Sequence, residues 1–596
     1  MKTPPRFTPT RLLSHLRIAT AVTLIAAAVV SAIASFKPDP LVSVGSPVTP
    51  FSQNKQNEPA LAVDANHPNI LVAGANDNID LEACNAGNDT TCPFTPGVGV
   101  SGIYFSFDNG TTWVQPTYTG LTARGCLGAV GNSDPTCTPQ VGPIGTLPKY
   151  YENGLSSDGD PALAFGPRPG SDGKFSWANG SRLYYANLTS NIGAKRSETF
   201  KGFEAVAVSR TDHVAAAAAN DANAWMDPVI VSKQSSTTFS DKEQIWADNA
   251  ASSPFFGNVY ICNAAFRSQE KGNALPVPIM VATSTDGGDT WKQKQVTSAV
   301  SNFQHGNSSG CTIRTDSHGV VYAFVAHFQI GTPGIGTHAM VKSSDGGQTW
   351  TRPVDIFSMN DACFNVDPVI GRCVEDGIAG ARNDLTASPS VDIANGAPTG
   401  ANATNEIVDT WADGRFGLNH EKVMISYSIN GGNTWSSPSP VSTSGDRGYY
   451  SAAGISPNGA DLYVVYNAFT TPYRTDTFAS RRLVGVVLHA DIGAGGAPTN
   501  WAQLHRGAPG DPRGSSQNNL QAEFLGDYVY AIATRTYGAG VWNDTRNAAD
   551  CPATDAWRMA LRTGDTSVPR PAPEQDCPAT FGNSDIFGGS FADPTP

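Results

Sequence analysis

The 596-residue chain is poor in charge, with only 15% Asp, Glu, Lys and Arg. Acidic residues outnumber basic ones 52 to 39, for a formal net charge of −13, and no stretch of Lys and Arg forms a basic stripe. Proteins that grip nucleic acid neutralise phosphates with such a stripe, so no nucleic-acid partner is expected. A long 3.6-residue hydrophobic period and a heptad pattern are also missing, which excludes a helical bundle or coiled coil. No Cys-x-x-Cys spacing and no His couple accompany the ten cysteines, which argues against a zinc site. No acidic run has EF-hand spacing. Beyond the N-terminus, no apolar run is long enough to span a membrane.

Turns are abundant instead. Sixty Gly and 42 Pro suit short strands joined by many turns, and the expected fold class is all-β. Four octamers recur: Ser106-Phe-Asp108-Asn-Gly110-Thr-Thr112-Trp113, Ser284-Thr-Asp286-Gly-Gly288-Asp-Thr290-Trp291, Ser343-Ser-Asp345-Gly-Gly347-Gln-Thr349-Trp350 and Ser428-Ile-Asn430-Gly-Gly432-Asn-Thr434-Trp435. Asp bonds nearby backbone amides and Gly tolerates positive φ, so each octamer predicts a tight turn. The terminal Trp is a large apolar plug with one N–H to satisfy. A plugged turn that recurs along the chain marks a repeat fold.

The pattern Ser-x-Asp-x-Gly-x-Thr-Trp resembles the Asp-box (BNR) repeat of sialidase-like β-propellers. That resemblance implies a ring of four-stranded antiparallel blades, with the boxes on the face away from the binding site. Seven strand-rich units can be counted, beginning at Pro59, Asp160, Asp241, Cys311, Pro389, Tyr450 and Glu523. Seven blades are therefore expected, with six as the alternative, since sialidases themselves have six. Residues Leu41 to Val48 are a spare strand that would complete the last unit and close the ring, leaving no sheet edge open.

At the N-terminus, Lys2, Arg6, Arg11 and Arg17 precede the apolar stretch Ile18 to Ala34, which ends in small residues. Residues 1–34 read as a signal peptide, or as an uncleaved anchor, and 35–596 as the propeller. Either way the body is expected outside the cytoplasm, secreted or anchored, with no other membrane contact. An oxidising compartment suits the cysteines. The expected pairs are Cys84 with Cys92, Cys126 with Cys137, Cys363 with Cys373, Cys551 with Cys577, and Cys262 with Cys311 between blades.

In such a ring the starts of first strands and the ends of second strands converge on one funnel, opposite the boxes. Asp160, Asp241, Lys242, Asp527 and Tyr528 are the expected substrate-binding residues there. Candidate catalytic residues are Asp413, Arg415, Tyr450, Asp544, Arg546 and Arg314. Two of the pairs repeat as Trp411-Ala-Asp413-Gly-Arg415 and Trp542-Asn-Asp544-Thr-Arg546. An Asp two residues before an Arg fixes the guanidinium fork, either toward an oxygen ligand or simply as a loop tie. Repetition in two blades favours the tie. No metal ligand set is assigned and no cofactor is expected with certainty. Ca²⁺ at Asp77 with Asp80, or at Asp158 with Asp160, is the cofactor alternative.

Gly159-Asp-Pro161, Asp241-Lys242, Gly526-Asp-Tyr528 and Val541-Trp-Asn-Asp-Thr-Arg546 are similar to landmarks of secreted bacterial exo-sialidase-like propellers. The segment Tyr450-Ser451, followed by Asp461-Leu-Tyr-Val-Val-Tyr466, looks like the sialidase stretch that carries the nucleophilic Tyr. Asn467 stands where sialidases place an acid, and no Arg-Ile-Pro or Arg-Leu-Pro occurs near the first blade. A substitute arginine trio of Arg314, Arg415 and Arg546 requires their blades to bring them together. The resemblance implies a monomer that acts on or binds an extracellular glycan or glycoprotein. An exo-glycosidase or exo-sialidase is one version, and a non-catalytic binding scaffold the other.

Overall fold

The computed structural model describes residues 1, 36–84, 95–126, 138–192, 199–231, 235–267, 276–299, 308–329, 334–383, 385–522 and 525–596. The N-terminal apolar segment, Cys92 and Cys137 lie outside the described residues. Seven antiparallel sheets follow one another along the chain, nearly all in plain strand order, and form a seven-bladed β-propeller. The expected blade count holds. The first strands of the blades are Gln56–Val63, Ala162–Pro169, Phe239–Ala247, Ser308–Thr315, Ser390–Ile393, Arg447–Ile455 and Tyr530–Ala533. Only the seventh departs clearly from expectation: its first strand begins at Tyr530, so Asp527 and Tyr528 lie in the loop just before it.

The core lies between the blades rather than within them. Ala162, Tyr184 and Val206 of blade two meet Ile245, Val259 and Ile261 of blade three in one buried cluster. Similar clusters join blades three and four, five and six, six and seven, and seven and one. The four octamer tryptophans belong to this packing, because each leans on the preceding blade. Trp113 joins Tyr537 and Val541 of blade seven, Trp291 the blade two–three cluster, Trp350 the blade three–four cluster, and Trp435 packs edge-on against Phe324 at 5.9 Å.

The octamers fold as their residues predict. In the first, Gly110 N donates to Ser106 Oγ at 2.9 Å, while Thr112 donates its N–H and its hydroxyl to the Asp108 carboxylate at 2.9 and 2.7 Å. Asn430 reproduces this with one bond reversed: its Oδ1 accepts from Thr434 N, and its Nδ2 donates to Thr434 Oγ1. Those bonds hold the Asp345 carboxyl down at about 2, with the Thr349 hydroxyl the main cause. In blades three, four and five the turns join third to fourth strands, and in blade one the turn leads to the single bridge of Val114 to Phe105.

Closure of the ring uses the spare N-terminal strand, in shorter form than expected. Leu41 bridges antiparallel to Phe587, Val42 N donates to Ile586 O at 2.8 Å, and Gly588 N donates to Pro40 O at 3.0 Å. Of the expected cysteine couples, Cys262–Cys311, Cys363–Cys373 and Cys551–Cys577 are bonded as anticipated. Cys84 and Cys126 are also disulfide-bonded, with partners outside the described residues. No helix among the described residues is long and apolar enough to cross a membrane.

The two Trp-x-Asp-x-Arg segments are loop ties. Asp413 accepts from Trp411 Nε1 at 2.7 Å, Arg415 N at 2.8 Å and Arg415 Nε at 2.9 Å, and Arg415 also caps Ser358 O. Asp544 takes the same donors from Trp542 and Arg546. Arg546 reaches further, to Asp39 at 2.5 Å and over the Phe587 ring at 4.0 Å, and so anchors the closing segment. Arg546→Ala is therefore expected to cost about 1 kcal/mol more stability than Arg415→Ala, since it also removes the Arg546–Asp39 pair and leaves Asp39 only His505; urea unfolding of the two variants measures the difference.

Candidate functional site

Three of the first strands carry the same irregularity near the axis on the face opposite the octamer turns. In blade one, Asn57 pairs with Asn76 and Ala60 with Gly74, so two residues oppose one and Glu58 becomes part of a bulge. Blade three repeats this between Asp241 and Gln244, and blade six between Gly448 and Ser451. A bulge re-aims the side chains of its extra residues. Glu58 and Lys242 sit in left-handed backbone, φ 54° and 58°, as does Asp160 of blade two at 51°. Non-glycine residues held there cost about 1–3 kcal/mol each, which the surrounding structure must offset.

These bulges gather one buried ion cluster. Lys242 Nζ lies 2.5 Å from Asp527, 3.2 Å from Asp160 and 3.5 Å from Asp241. Glu58 accepts from Asp527 N at 3.0 Å and from Asn76 Nδ2 at 2.7 Å, and its carboxyl is hydrogen-bonded to Asp160. Gly526, at φ 98°, makes the approach possible: a Cβ there would stand 2.2 Å from Glu58 Cγ. Gly159 plays the same part against Asn76. All five expected binding residues, Asp160, Asp241, Lys242, Asp527 and Tyr528, are brought together. Glu58 and Glu243 are additions.

One ammonium among so many carboxyls drives their proton affinities apart. Burial raises Glu58 well above the usual glutamate range, and the Asp160 charge adds to it. Burial pushes Asp160 up too, but the Lys242 charge and the hydrogen bond from Glu58 outweigh it and leave the carboxyl at about 2. Asp241 is lifted by burial to about 6 despite Lys242. Lys242 itself is held well above the ordinary lysine value: burial opposes its charge, but the carboxylates around it prevail. Glu243 is 3% exposed, no other side chain hydrogen-bonds its carboxyl, and burial raises it strongly.

Two cavities adjoin the cluster. One of about 400 Å³ opens between blades one and two, walled by Glu58, Asp160, Asp158, Asn57, Asn76 and Gln517 among others. The second, about 70 Å³, lies in the central channel and is lined by Lys242, Asp527, Tyr528, Tyr450, Arg314 and Tyr530. Tyr450 packs edge-on against Tyr449 at 4.4 Å. Asp413, Arg415, Asp544 and Arg546 line neither cavity. Arg314 bonds Asp392 and Tyr530 and lies over Trp246, so the three arginines serve three separate partner sets. The alternative Ca²⁺ positions are already supplied with protein donors. Asp77 accepts from Ser46, Gln56, Gln115 and Tyr104, Asp80 from Arg124, Thr146 and Gly145 N, and Asp158 from Ser156.

Glu58 had a visible signal. Glu58-Pro-Ala-Leu-Ala62 and Asp160-Pro-Ala-Leu-Ala164 are the same pentad in adjacent blades, with Glu and Asp exchanged. Glu243 had none, because its burial follows from the bulge.

No protein-family model and no curated protein sequence matches the chain. Among solved structures it is similar to the intramolecular trans-sialidase from Ruminococcus gnavus, at 13% identity and TM-score 0.39, over 72% of this chain and 94% of that one. It is likewise similar to the Hadza microbial sialidase Hz136, at 12% and 0.38 over 69% and 63% of the two chains. A protein of unknown function from Dyadobacter fermentans matches at 12% and 0.36 over 72% and 93%.

Lys242→Met leaves the buried carboxylates without their cation and is expected to cost about 3–5 kcal/mol at pH 7, read from urea unfolding. Glu243→Gln tests the opposite case. Folded Glu243 holds its proton above the ordinary value of 4.5, so its contribution to stability is full below that pH and is lost as pH rises toward its raised value. The variant should gain stability over the wild type at pH 8 and not at pH 4; equal differences at both would refute the assignment.

Proposed function

We propose that this chain is a secreted, sialidase-like Asp-box propeller that binds an extracellular glycan in the 400 Å³ cavity between blades one and two. The observation that carries this reading is the cavity wall itself. Carboxyl, amide and hydroxyl groups from Glu58, Asp158, Asp160, Asn57, Asn76, Ser156 and Gln517 surround a space large enough for a sugar unit. Paired donors and acceptors of this kind suit an array of sugar hydroxyls. Arg314, Arg415 and Arg546 supply no common clamp for a sugar carboxylate, and the basic side chains on the cavity wall are Lys55 and Arg382.

Hydrolysis is the second reading, and the Glu58–Asp160 pair favours it. One carboxyl holds its proton and its neighbour is ionised, the division of labour of an acid and a base. Their direct hydrogen bond, however, is shorter than the roughly 5 Å of retaining or 6.5–9.5 Å of inverting glycosidases. A hydrolase would draw its second carboxylate from Asp158 or Asp527 instead.

Glycan-array binding and calorimetry on the purified propeller, run beside a panel of aryl glycosides, separate the two. Binding without turnover, weakened at least 10-fold in Asp160→Asn, is the expected result. Turnover that falls about 10²–10⁴-fold in Glu58→Gln would replace it with the hydrolase reading. Neither binding nor turnover would sink both.

A further inference from the structure

The sixth blade lacks the octamer, and the register of its strands shows what stands in its place. In blades one, three, four and five the octamer serine is paired with an apolar residue at the start of the second strand: Ser106 with Leu71, Ser284 with Val259, Ser343 with Val321 and Ser428 with Ile407. In blade six that same position pairs Asp491 with Asp461. Two residues before Asp491 stands His489, only 1% exposed. The ligand atoms of Asp461, His489 and Asp491 all lie within 4.8 Å of one another, the one such group found among the described residues.

Within the group His489 and Asp461 are at hydrogen-bond distance, a spacing that two ligands of one small cation also adopt. His489 Nε2 is 3.3 Å from Asp461 Oδ1 and 3.9 Å from Asp593 Oδ1. Two ligands about 2.1 Å from one tetrahedral metal stand about 3.4 Å apart. Asp593 comes from the C-terminal segment, which is laid across the site by Thr595: its hydroxyl donates to Asp491 and to Asp593. Asn500 Nδ2 donates to the other Asp491 oxygen at 2.8 Å, an outer bond that orients the carboxylate. Tyr463, also 1% exposed, has a hydroxyl with no side-chain hydrogen-bond partner, and Asp461 and Asp593 are the charges beside it. Two carboxylates and a buried imidazole thus converge, with Asp593 at their edge 3.9 Å from the imidazole, at a position where the four octamer blades place a serine and an aliphatic residue.

We propose that Asp461, His489, Asp491 and Asp593 form a site for a first-row divalent cation of the zinc type, which fastens the C-terminal segment to blade six. One imidazole nitrogen with carboxylate oxygens suits zinc or manganese, whereas calcium takes six to eight oxygen ligands. The site lies on the octamer face, away from the glycan cavity, and its role is structural.

The test strips the full-length protein with a chelator and titrates it with ZnCl₂, MnCl₂ and CaCl₂ by calorimetry, with thermal unfolding in parallel. One zinc or manganese per chain with micromolar or tighter affinity is expected, and free metal at a hundred times Kd should raise the thermal midpoint by about 2 °C. Asp593→Asn, in the partly exposed C-terminal segment, leaves the blade intact and should weaken binding at least 10-fold; His489→Gln should abolish it, with circular dichroism confirming the fold. No stoichiometric binding, a preference for calcium, or unchanged affinity in Asp593→Asn would each overturn the proposal.

Discussion

Everything in this molecule depends on apolar surface buried between neighbouring blades. A single four-stranded blade has two apolar faces and cannot cover either alone, so each sheet is stable only with a blade on both sides. That requirement propagates around the ring until the first and last blades meet. Val42, Leu61 and Leu71 then pack with Tyr537, Val541 and Ile586 in a cluster that joins the ends of the chain. Arg546, held by Asp544, reaches Asp39 and brings the N-terminal segment to that seam. The octamer tryptophans serve the same end at this seam and at three others, so the turn motif acts as interblade packing as much as turn chemistry.

Against this regular background the axis is irregular. Bulges at Glu58, Lys242 and Tyr449–Tyr450 break the inner strands at one level, and three polar residues adopt left-handed backbone there. The Cys262–Cys311 bond ties blade three to blade four beside this level, with Cys311 Sγ against Lys242 O. Burying several carboxyls around one lysine is costly unless their charges are balanced by protons and hydrogen bonds. The opposed shifts of Glu58, raised by burial, and Asp160, lowered by the Lys242 charge and the Glu58 hydrogen bond, are how the cluster meets that constraint, and they also give the cavity wall its chemical character. The buried lysine–carboxylate cluster lies at one end of the channel, while the octamer face is held together by hydrogen-bonded turns and, at blade six, by an acid–imidazole group.

Much of this was legible in the residues. The octamers, the alternating strands and the spare N-terminal segment identify the propeller, because turn chemistry and two-residue periodicity are local properties. The funnel residues Asp160, Asp241, Lys242, Asp527 and Tyr528 followed from strand polarity alone, which assigns each strand end to a face. The roles of Arg415 and Arg546 were less accessible. The Asp-x-Arg spacing indicates a fixed guanidinium but not its target, and that target is Ser358 O in one case and Asp39 in the other, remote in sequence. Glu243 was hidden for a similar reason: the bulge that buries it is a two-against-one mismatch with the neighbouring strand, and one strand read alone carries no trace of it.

Sequence by itself thus determined the architecture: the number of blades, the face on which the turns lie, and three disulfide pairs, two of them close in sequence. These rest on short-range preferences for turns, alternation and loop closure. Tertiary structure alone decided which charges meet. Lys242 finds Asp160 and Asp527 only because the ring returns blade seven to within 2.5 Å of blade three. His489 meets Asp593 only because the C-terminal segment crosses blade six. Electrostatic energy and proton affinity depend on distance in space and on burial, and neither is a property of a residue's neighbours along the chain.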